Sequence, residues 1–349
     1  MHKVRFLLAD LLKGIAVLLM IQVHLTELFA TPEFYQSLYG KISLLLGGVP
    51  AAPLFMVVMG FFIGDVNLKT GKLIFRGLKL IVWGLLLNIG LNLHLFYRIF
   101  IGTFQLDPLP YLFGVDILFL AGISILIITL FVKLFQGNPY PFLIAAFLIP
   151  LLSDILPAYT NNSGTGKYLM AFIHSSSRWS YFPLIPWLSY PMLGTAAGIL
   201  YKKYPDKIIK LFSKPFIISI AAVITIIFWS SGFTISADLP LYYHHGLQFF
   251  VWAVSLLIII VLGMNYLLKL LSKDNILVRY LSWTGKNVTS FYVFQWLLIG
   301  NLATSLYKTQ PPTVLIFWFA GVTVLSSILV WLFNKRSRII DFFKDLTTE

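Results

Sequence analysis

Four ionisable side chains interrupt an apolar stretch near the start of the sequence. They are Arg5, Asp10, Lys13 and His24, and the residues between them are mostly Leu, Ile, Val and Ala. An ionisable group inside a bilayer is unfavourable unless it faces protein or water. At about 100° per helical residue, Asp10, Lys13 and His24 share one face, and Lys13 lies about 16 Å from His24 along the axis. This spacing predicts a polar stripe that faces the interior of a helix bundle or a water-filled path. The alternative is that Lys13 snorkels toward water and that His24 makes a single interhelical hydrogen bond.

The composition places most of the chain in lipid. Of the 349 residues, 58% are hydrophobic and 11% are charged, whereas soluble domains have roughly 25% charged residues. The absence of cysteine excludes disulfides, cysteine-ligated metal sites and an acyl-cysteine intermediate. The formal charge is +13. It indicates basic loops on the cytoplasmic side of a membrane rather than nucleic-acid binding, because no basic run stands clear of the apolar segments.

Ten segments of the sequence are apolar enough to cross a bilayer, which takes about 20 residues. They lie near 6–28, 42–65, 73–97, 109–134, 140–157, 181–201, 214–232, 246–270, 288–306 and 313–334. Most of the 26 Lys and Arg residues then fall on the side that holds both termini. Because Lys and Arg favour the cytoplasmic side, we predict an all-α, polytopic membrane helix bundle of about ten transmembrane helices, with both termini cytoplasmic.

The predicted bundle forms a single domain over residues 1–349, and its expected location is the inner membrane of a bacterium. A cleaved signal peptide is the alternative for the first span. Asp10 and Lys13 argue against it, because they interrupt the apolar region that such a peptide needs.

This topology brings several ionisable residues to the outer side of the membrane. His24 and His94 lie near the outer ends of the first and third spans, and Glu27 lies one turn beyond His24. Asp116 falls about two turns into the fourth span. The remaining outer candidates lie in loops or at helix mouths: His174, His244, His245, Arg178 and Trp187. The aromatic, proline-rich stretch around Trp187 is typical either of an interfacial belt or of a site.

Five stretches of the sequence together resemble one family. They are Arg5-x4-Asp10-x2-Lys13-Gly14 with His24, Pro53-x-Phe55-x4-Gly60, Asp116-Ile-Leu, Phe182-Pro183-x2-Pro186-Trp187, and Gly285-Lys-Asn287 with Phe291 and Tyr292. The residue types in these stretches, and the order of the stretches along the chain, resemble those of the heparan-α-glucosaminide N-acetyltransferase family. This family belongs to the wider superfamily of transmembrane acyltransferases.

The sequence departs from the pattern of this family at two positions. Lys13 stands where the family usually has Arg, which keeps the charge but loses the two-pronged geometry that suits phosphate or carboxylate. Gln295 stands where many members have His. A glutamine can form hydrogen bonds but cannot titrate, which argues against an acid–base role at that position.

The resemblance implies acyl transfer from acetyl-CoA, as a co-substrate, to an amino sugar or another glycan acceptor. The phosphates of coenzyme A suit a basic inner end of the bundle. The expected donor-binding residues are therefore Arg5, Asp10, Lys13, Arg76 and Lys79. The pantetheine arm is comparable in length to the Lys13–His24 separation, which would bring the thioester beside His24. The alternative for Arg76 and Lys79 is anchoring at the cytoplasmic surface.

His24 is the expected general base, because a histidine titrates near operating pH and can take a proton from the acceptor amine or hydroxyl. A covalent acetyl-histidine step stays open. Glu27 either orients His24 or faces the outer water, and Asp116 is a further candidate for the chemistry. The expected acceptor-binding residues are His94, Arg178, Trp187, His244, His245 and Gln295. No metal is expected, because no metal-ligand spacing motif occurs.

Three other functions stay open. An O-acyltransferase of a surface polysaccharide or lipid-linked sugar would use the same site with another acceptor. A secondary transporter also holds intramembrane ionisable residues, but the sequence shows no matching halves and no pair of interrupted spans. A non-catalytic scaffold would leave the polar stripe unexplained. The expected partners are the lipid bilayer and a sugar or glycan acceptor, without nucleic acid, and a homodimer stays open.

Overall fold

The computed structural model describes residues 7–65, 69–160, 164–272 and 274–347, and within these ranges the protein is helical. The helices are α1 (Leu7–Leu28), α2 (Pro32–Gln36), α3 (Leu38–Gly48), α4 (Ala52–Asp65), α5 (Thr70–Leu91), α6 (Leu93–Phe100), α7 (Leu109–Leu112), α8 (Ile117–Phe135), α9 (Tyr140–Ile155), α10 (Gly166–Ile173), α11 (Leu184–Trp187), α12 (Ser189–Lys203), α13 (Pro205–Phe212), α14 (Pro215–Ile227), α15 (Trp229–Ser236), α16 (Leu239–Tyr243), α17 (Leu247–Leu270), α18 (Ile276–Lys286), α19 (Val288–Leu306) and α20 (Pro312–Thr347). In these same ranges, extended pairing is limited to two isolated bridges. The all-α prediction is confirmed. Arg5 lies outside the described residues.

Six helical segments of the described chain are long and apolar enough to cross a membrane. They are α1, α3 with α4, α5, α8, α17 and the Pro312–Arg336 part of α20. The bent pair α13 and α14, which meet at 58°, would count as a seventh if it forms one broken span. These helices make the protein an integral, multi-pass membrane protein. The count of ten spans and the cytoplasmic termini stay predictions.

The fourth predicted span is divided, and Asp116 lies at the break. Helix α7 ends at Leu112 and α8 begins at Ile117, so one continuous helix near 109–134 does not form. The Asp116 Oδ1 atom accepts hydrogen bonds from the backbone N–H groups of Leu118 and Phe119, at 2.9 and 3.1 Å. Asp116 is therefore the N-cap of α8 and not a residue two turns inside a span. A carboxylate is favoured here because the first N–H groups of a helix have no intrahelical partner.

Glycines bring the backbones of α1 and α18 into close contact. A Cβ atom on Gly14 would overlap the carbonyl of Leu281, and one on Gly285 would overlap the carbonyl of Asp10. Small residues allow this close packing between membrane helices. The Asp10–Gly14 turn of α1 is thus held against α18, which fixes the orientation of the helix that carries His24.

The centre of the bundle is the contact between α4 and α12, which also depends on glycine. A Cβ atom on Gly60 would overlap the carbonyl of Pro191, and one on Gly194 would overlap the carbonyl of Val57. The largest buried cluster surrounds this pair and includes Trp187, which is fully buried. A rigid centre of this kind supports the neighbouring helix ends that form the site.

Candidate active site

A cavity of about 460 Å³ lies where α1 ends. We call it the His24 cavity. Helix α1 contributes His24 and Glu27 to its lining, and the start of α8 contributes Asp116. On α1 the lining extends as far into the bundle as Met20. The imidazole of His24 thus faces a space inside the protein and not the lipid, and three of the sequence-predicted residues meet in one site.

The imidazole of His24 is held by an aromatic neighbour. Its ring centroid lies 4.0 Å from that of Trp296, with the two planes tilted by 34°. The Nδ1 atom is buried and has no hydrogen-bond partner among the described residues. Trp296 also lines the cavity. Because one nitrogen is buried against protein, Nε2 is the ring atom that remains for a molecule in the cavity.

The two carboxylate oxygens of Asp116 have different partners. Its Oδ1 atom caps α8, while its Oδ2 atom accepts a hydrogen bond from the Tyr292 hydroxyl at 3.4 Å. Both residues line the His24 cavity. Oδ2 makes one long hydrogen bond, so it retains capacity to accept a further bond from a ligand.

Glu27 and Lys308 bring opposite charges to the cavity. Both line it, and Lys308 comes from the loop after α19. The backbone N–H of Lys308 donates to the Leu28 carbonyl at 2.9 Å, and its Nζ lies 3.7 Å from the ring centroid of Tyr35. Burial lowers the pKa of Lys308, and the negative charge of Glu27 raises it. In the part of the chain that the structure describes, Glu27 makes no hydrogen bond to His24, so its neighbourhood is set by Lys308 and tyrosines.

The remaining wall of the cavity is rich in aromatic and amide groups. Asn88 is fixed there because its Nδ2 donates to the carbonyls of Leu112 and Gly114, at 2.9 and 2.8 Å. Tyr181 and Tyr243 also line the space. Aromatic surface with a few placed polar groups is typical of a site for an organic ligand.

Four of the residues predicted to bind the donor lie apart from this cavity. Asp10 and Lys13 form an ion pair, with Lys13 Nζ 3.0 Å from Asp10 Oδ1. Arg76 and Lys79 are exposed on α5. The described cavity lining includes none of these four residues. The structure therefore separates the histidine end of the polar stripe from the basic end.

Two of the predicted acceptor-binding residues are packed into the core instead. Trp187 is fully buried and donates its indole N–H to the Tyr243 carbonyl at 2.9 Å. His245 is buried between the Tyr190 hydroxyl, 2.9 Å from Nε2, and the Tyr242 carbonyl, 2.8 Å from Nδ1. Burial lowers the pKa of His245 to about 3. Both ring nitrogens of His245 thus have partners in the core, and the assignment of Trp187 and His245 to acceptor binding stays a prediction.

The other predicted acceptor-binding residues also lie outside the His24 cavity. His94 contacts Asn301, whose side-chain oxygen accepts the His94 backbone N–H at 2.9 Å. Arg178 is exposed in a turn. Burial lowers the pKa of His244 to about 4. Gln295 is fully buried, and neither amide atom has a hydrogen-bond partner within the described ranges. Their assignment to acceptor binding stays a prediction.

The sequence analysis missed several residues of the cavity. Asn88 offered a signal, because a lone amide in an apolar span needs partners, and Lys308 offered another as an isolated cation in a short loop. Tyr35 and Trp296 gave none, since they reach the site only through the tertiary fold. Among the described residues, no three His, Cys, Asp or Glu side chains are grouped as metal ligands.

Comparison with known proteins gives one match. A family model described as "Heparan-alpha-glucosaminide N-acetyltransferase, catalytic" matches residues 5–227. No curated protein and no solved structure matches the chain. The matched region contains His24, Glu27 and Asp116, whereas Trp296 and Lys308 lie beyond it.

Proposed function

The chain belongs to the heparan-alpha-glucosaminide N-acetyltransferase catalytic family, and we propose that it transfers an acetyl group from acetyl-CoA to an amino sugar or glycan acceptor. The family indicates a membrane acyltransferase that uses acetyl-CoA. The observation that carries the finer proposal is the position of His24. Its imidazole lines a cavity together with Glu27 and Asp116.

In this proposal His24 is the general base. As the acceptor nitrogen attacks the thioester carbonyl, a C–N bond forms and Nε2 of His24 accepts the proton. The C–S bond then breaks, and the proton passes to the sulfur, so that coenzyme A leaves as a thiol. Trp296 supports the reaction by limiting the orientation of the His24 ring.

The carboxylates of the cavity suit the acceptor. Sugar hydroxyl and amino groups are hydrogen-bond donors, and carboxylate oxygens accept such bonds strongly. Asp116 presents Oδ2 beside Tyr292, and Glu27 lines the same cavity as Lys308. We assign both residues to acceptor positioning, with aromatic side chains such as Tyr243 packing against the apolar faces of the sugar ring.

The donor is proposed to bind through the opposite end of α1. Asp10, Lys13, Arg76 and Lys79 would meet the nucleotide part of acetyl-CoA, with Arg5 beyond the described residues. Between Lys13 and the cavity, Ala16 and Val17 are fully buried. We propose that the pantetheine arm passes between α1 and its neighbours, which would move apart to admit it. We also propose ten spans, cytoplasmic termini and a bacterial inner membrane, as the distribution of Lys and Arg predicts.

The experiment that tests the proposal is acetyl transfer in proteoliposomes, with labelled acetyl-CoA and glucosamine. Replacing His24→Gln is expected to reduce turnover by about 10²–10⁴-fold, the usual contribution of a general base. His174→Gln is the matched control, because His174 lies outside the cavity lining. Wild-type turnover in His24→Gln would contradict the role of His24.

The same assay distinguishes transfer to nitrogen from transfer to oxygen. An N-acetyl product is stable to mild alkali, whereas an O-acetyl ester is hydrolysed. Retention of the label after alkali treatment supports the N-acetyltransferase. Release of the label by alkali would show that the acetyl group is attached to a hydroxyl group of the acceptor. His24 would then act as the base for transfer to oxygen.

A further inference from the structure

Helix α13 is a short helix on the surface of the protein. It connects α12 to α14, and each of its residues is at least partly exposed. Its axis meets that of α14 at 58°. Helix α14 exposes apolar side chains such as Phe216, Val223 and Ile227, as a helix in contact with lipid does. A bend of this size between the two helices turns α13 away from the direction of α14 and toward the plane of the membrane surface.

One side of α13 is apolar. Ile208 and Phe212 are four residues apart, and Ile209 precedes Phe212 by three, so the three side chains lie together on the helix surface. Ile209 is 56% exposed and Phe212 is 40% exposed. The rest of the protein therefore leaves much of this apolar side uncovered. Contact with the acyl chains of the bilayer would remove it from water.

The opposite side of α13 is basic. Lys207 and Lys210 are three residues apart, which places them about 60° from each other around the axis and away from the apolar side. Both are exposed, and exposed lysines flank the helix at each end, at Lys203 and Lys214. Asp206 is the only acidic residue of the helix. The surface around α13 thus has a clear excess of positive charge.

Tyr204 completes the pattern at the start of α13. Its side chain is 50% exposed, and the Nζ atom of Lys207 lies 5.2 Å from the centroid of its ring. Tyrosine is enriched at the level of the lipid headgroups, where its apolar ring and its polar hydroxyl are both accommodated. A neutral membrane surface would suit the apolar side of α13 alone. Anionic headgroups match the cations as well, because their phosphates attract basic residues on an amphipathic helix.

We propose that α13 lies in the membrane interface and that Lys207 and Lys210 bind the headgroups of anionic phospholipids. In this arrangement, Ile209 and Phe212 lie at the boundary between the headgroups and the acyl chains. Bound lipid would then hold the connection between α12 and α14 at the membrane surface. The lipid surface is separate from the His24 cavity, so this inference does not depend on the proposed acetyl transfer.

The test uses the absence of cysteine in the chain. The variant Ile209→Cys gives the full-length protein a single site for a bimane fluorophore, on the apolar side of α13. The labelled protein is placed in nanodiscs with brominated phosphatidylglycerol or brominated phosphatidylcholine, whose acyl chains quench bimane on contact. Both lipids are expected to quench. Phosphatidylglycerol is expected to associate about fivefold more strongly, the effect of about one lysine at an anionic surface.

Charge variants make the test specific to α13. Lys207→Gln with Lys210→Gln, in the labelled protein, is expected to reduce the ratio of the two association constants from about five to about one. Lys133→Gln with Lys269→Gln is the matched control. It also removes two exposed cations, but from the last turns of α8 and α17. The control is expected to keep the preference for phosphatidylglycerol.

The outcomes separate the two parts of the inference. The absence of quenching by either lipid would overturn the interfacial position of α13. Equal association of the two lipids, or a preference that the variant at Lys207 and Lys210 keeps, would overturn the binding of anionic headgroups. Inorganic phosphate provides a further check, against sodium chloride at the same ionic strength. If phosphate abolishes the preference and chloride does not, the lysines bind free phosphate rather than lipid, and the inference is overturned.

Discussion

The two ends of α1 have opposite environments. At its C-terminal end, His24 and Glu27 face a cavity of about 460 Å³. At its N-terminal end, Asp10 and Lys13 are paired at 3.0 Å, and Gly14 packs directly against the backbone of α18. We call the N-terminal end of α1 the closed end, because it packs closely against α18, and the C-terminal end the open end, because it faces the cavity.

In the proposed reaction, this difference affects how the donor would enter. A continuous polar path would allow the pantetheine arm to pass from Lys13 to His24 without movement. Instead, the cavity lining on α1 stops at Met20, and Ala16 and Val17 are buried between the two ends. We therefore expect donor binding to change the packing around the middle of α1.

The largest effect is expected at the closed end, at Gly14. A Cβ atom there overlaps the Leu281 carbonyl, so Gly14→Ala should separate α1 from α18 and reduce the stability by about 3 kcal/mol, the upper range for overpacking. The measurement is thermal unfolding in detergent. Gly263→Ala is the matched control, because no atom lies within 4 Å of a Cβ at that position. It should be neutral or slightly stabilising. Equal stability of the two variants would contradict the close contact.

The next effect concerns the ion pair at the same end. Lys13→Gln removes the cation beside a buried carboxylate and should destabilise the protein by about 2 kcal/mol, less than for a fully buried pair because Lys13 is partly exposed. The double variant with Asp10→Asn should recover much of this loss, since neither member of the pair is then charged. If Lys13 also binds the donor, the double variant will still have a raised KM for acetyl-CoA. A normal KM would make the closed end purely structural.

The smallest effect on stability is expected at the open end, at Asp116. Asparagine is also a favoured N-cap, so Asp116→Asn should change the stability by less than about 0.5 kcal/mol. The acceptor KM should nevertheless rise about tenfold, because a charged hydrogen-bond acceptor is lost. Asp116→Ala, which loses the cap as well, should cost about 1 kcal/mol of stability. An unchanged acceptor KM in Asp116→Asn would contradict a role in acceptor binding and leave Asp116 only its role as a helix cap.

The sequence predicted the parts of the site that depend on local periodicity. His24 and Glu27 are one turn apart on α1, so helix geometry placed them close together, although it left open whether Glu27 orients His24 or faces the outer water. The resemblance to the family identified Asp116, but the apolar run around it suggested a continuous span. The helix breaks at Asp116 because its side chain caps the first backbone N–H groups of α8. The hydropathy of the surrounding residues does not indicate this break.

The rest of the site depends on tertiary contacts that a single sequence does not encode locally. Lys308 reaches the cavity because its backbone N–H donates a hydrogen bond to the carbonyl of Leu28, a residue far from it in the sequence. Trp187 and His245 were predicted to bind the acceptor, and in the structure their rings pack against each other in the core, with centroids 5.2 Å apart. Residue type alone does not distinguish a buried aromatic cluster from a sugar-binding wall.

The central claim is that the acyl group reacts beside His24. The most direct test is a solved structure of the protein with a non-reactive acetyl-CoA analogue and glucosamine. We predict that the acyl carbon lies in the His24 cavity and that the acceptor nitrogen lies within about 3 Å of His24 Nε2, the reach of a general base. An acyl group bound elsewhere, with the imidazole out of reach of the acceptor, would contradict the account.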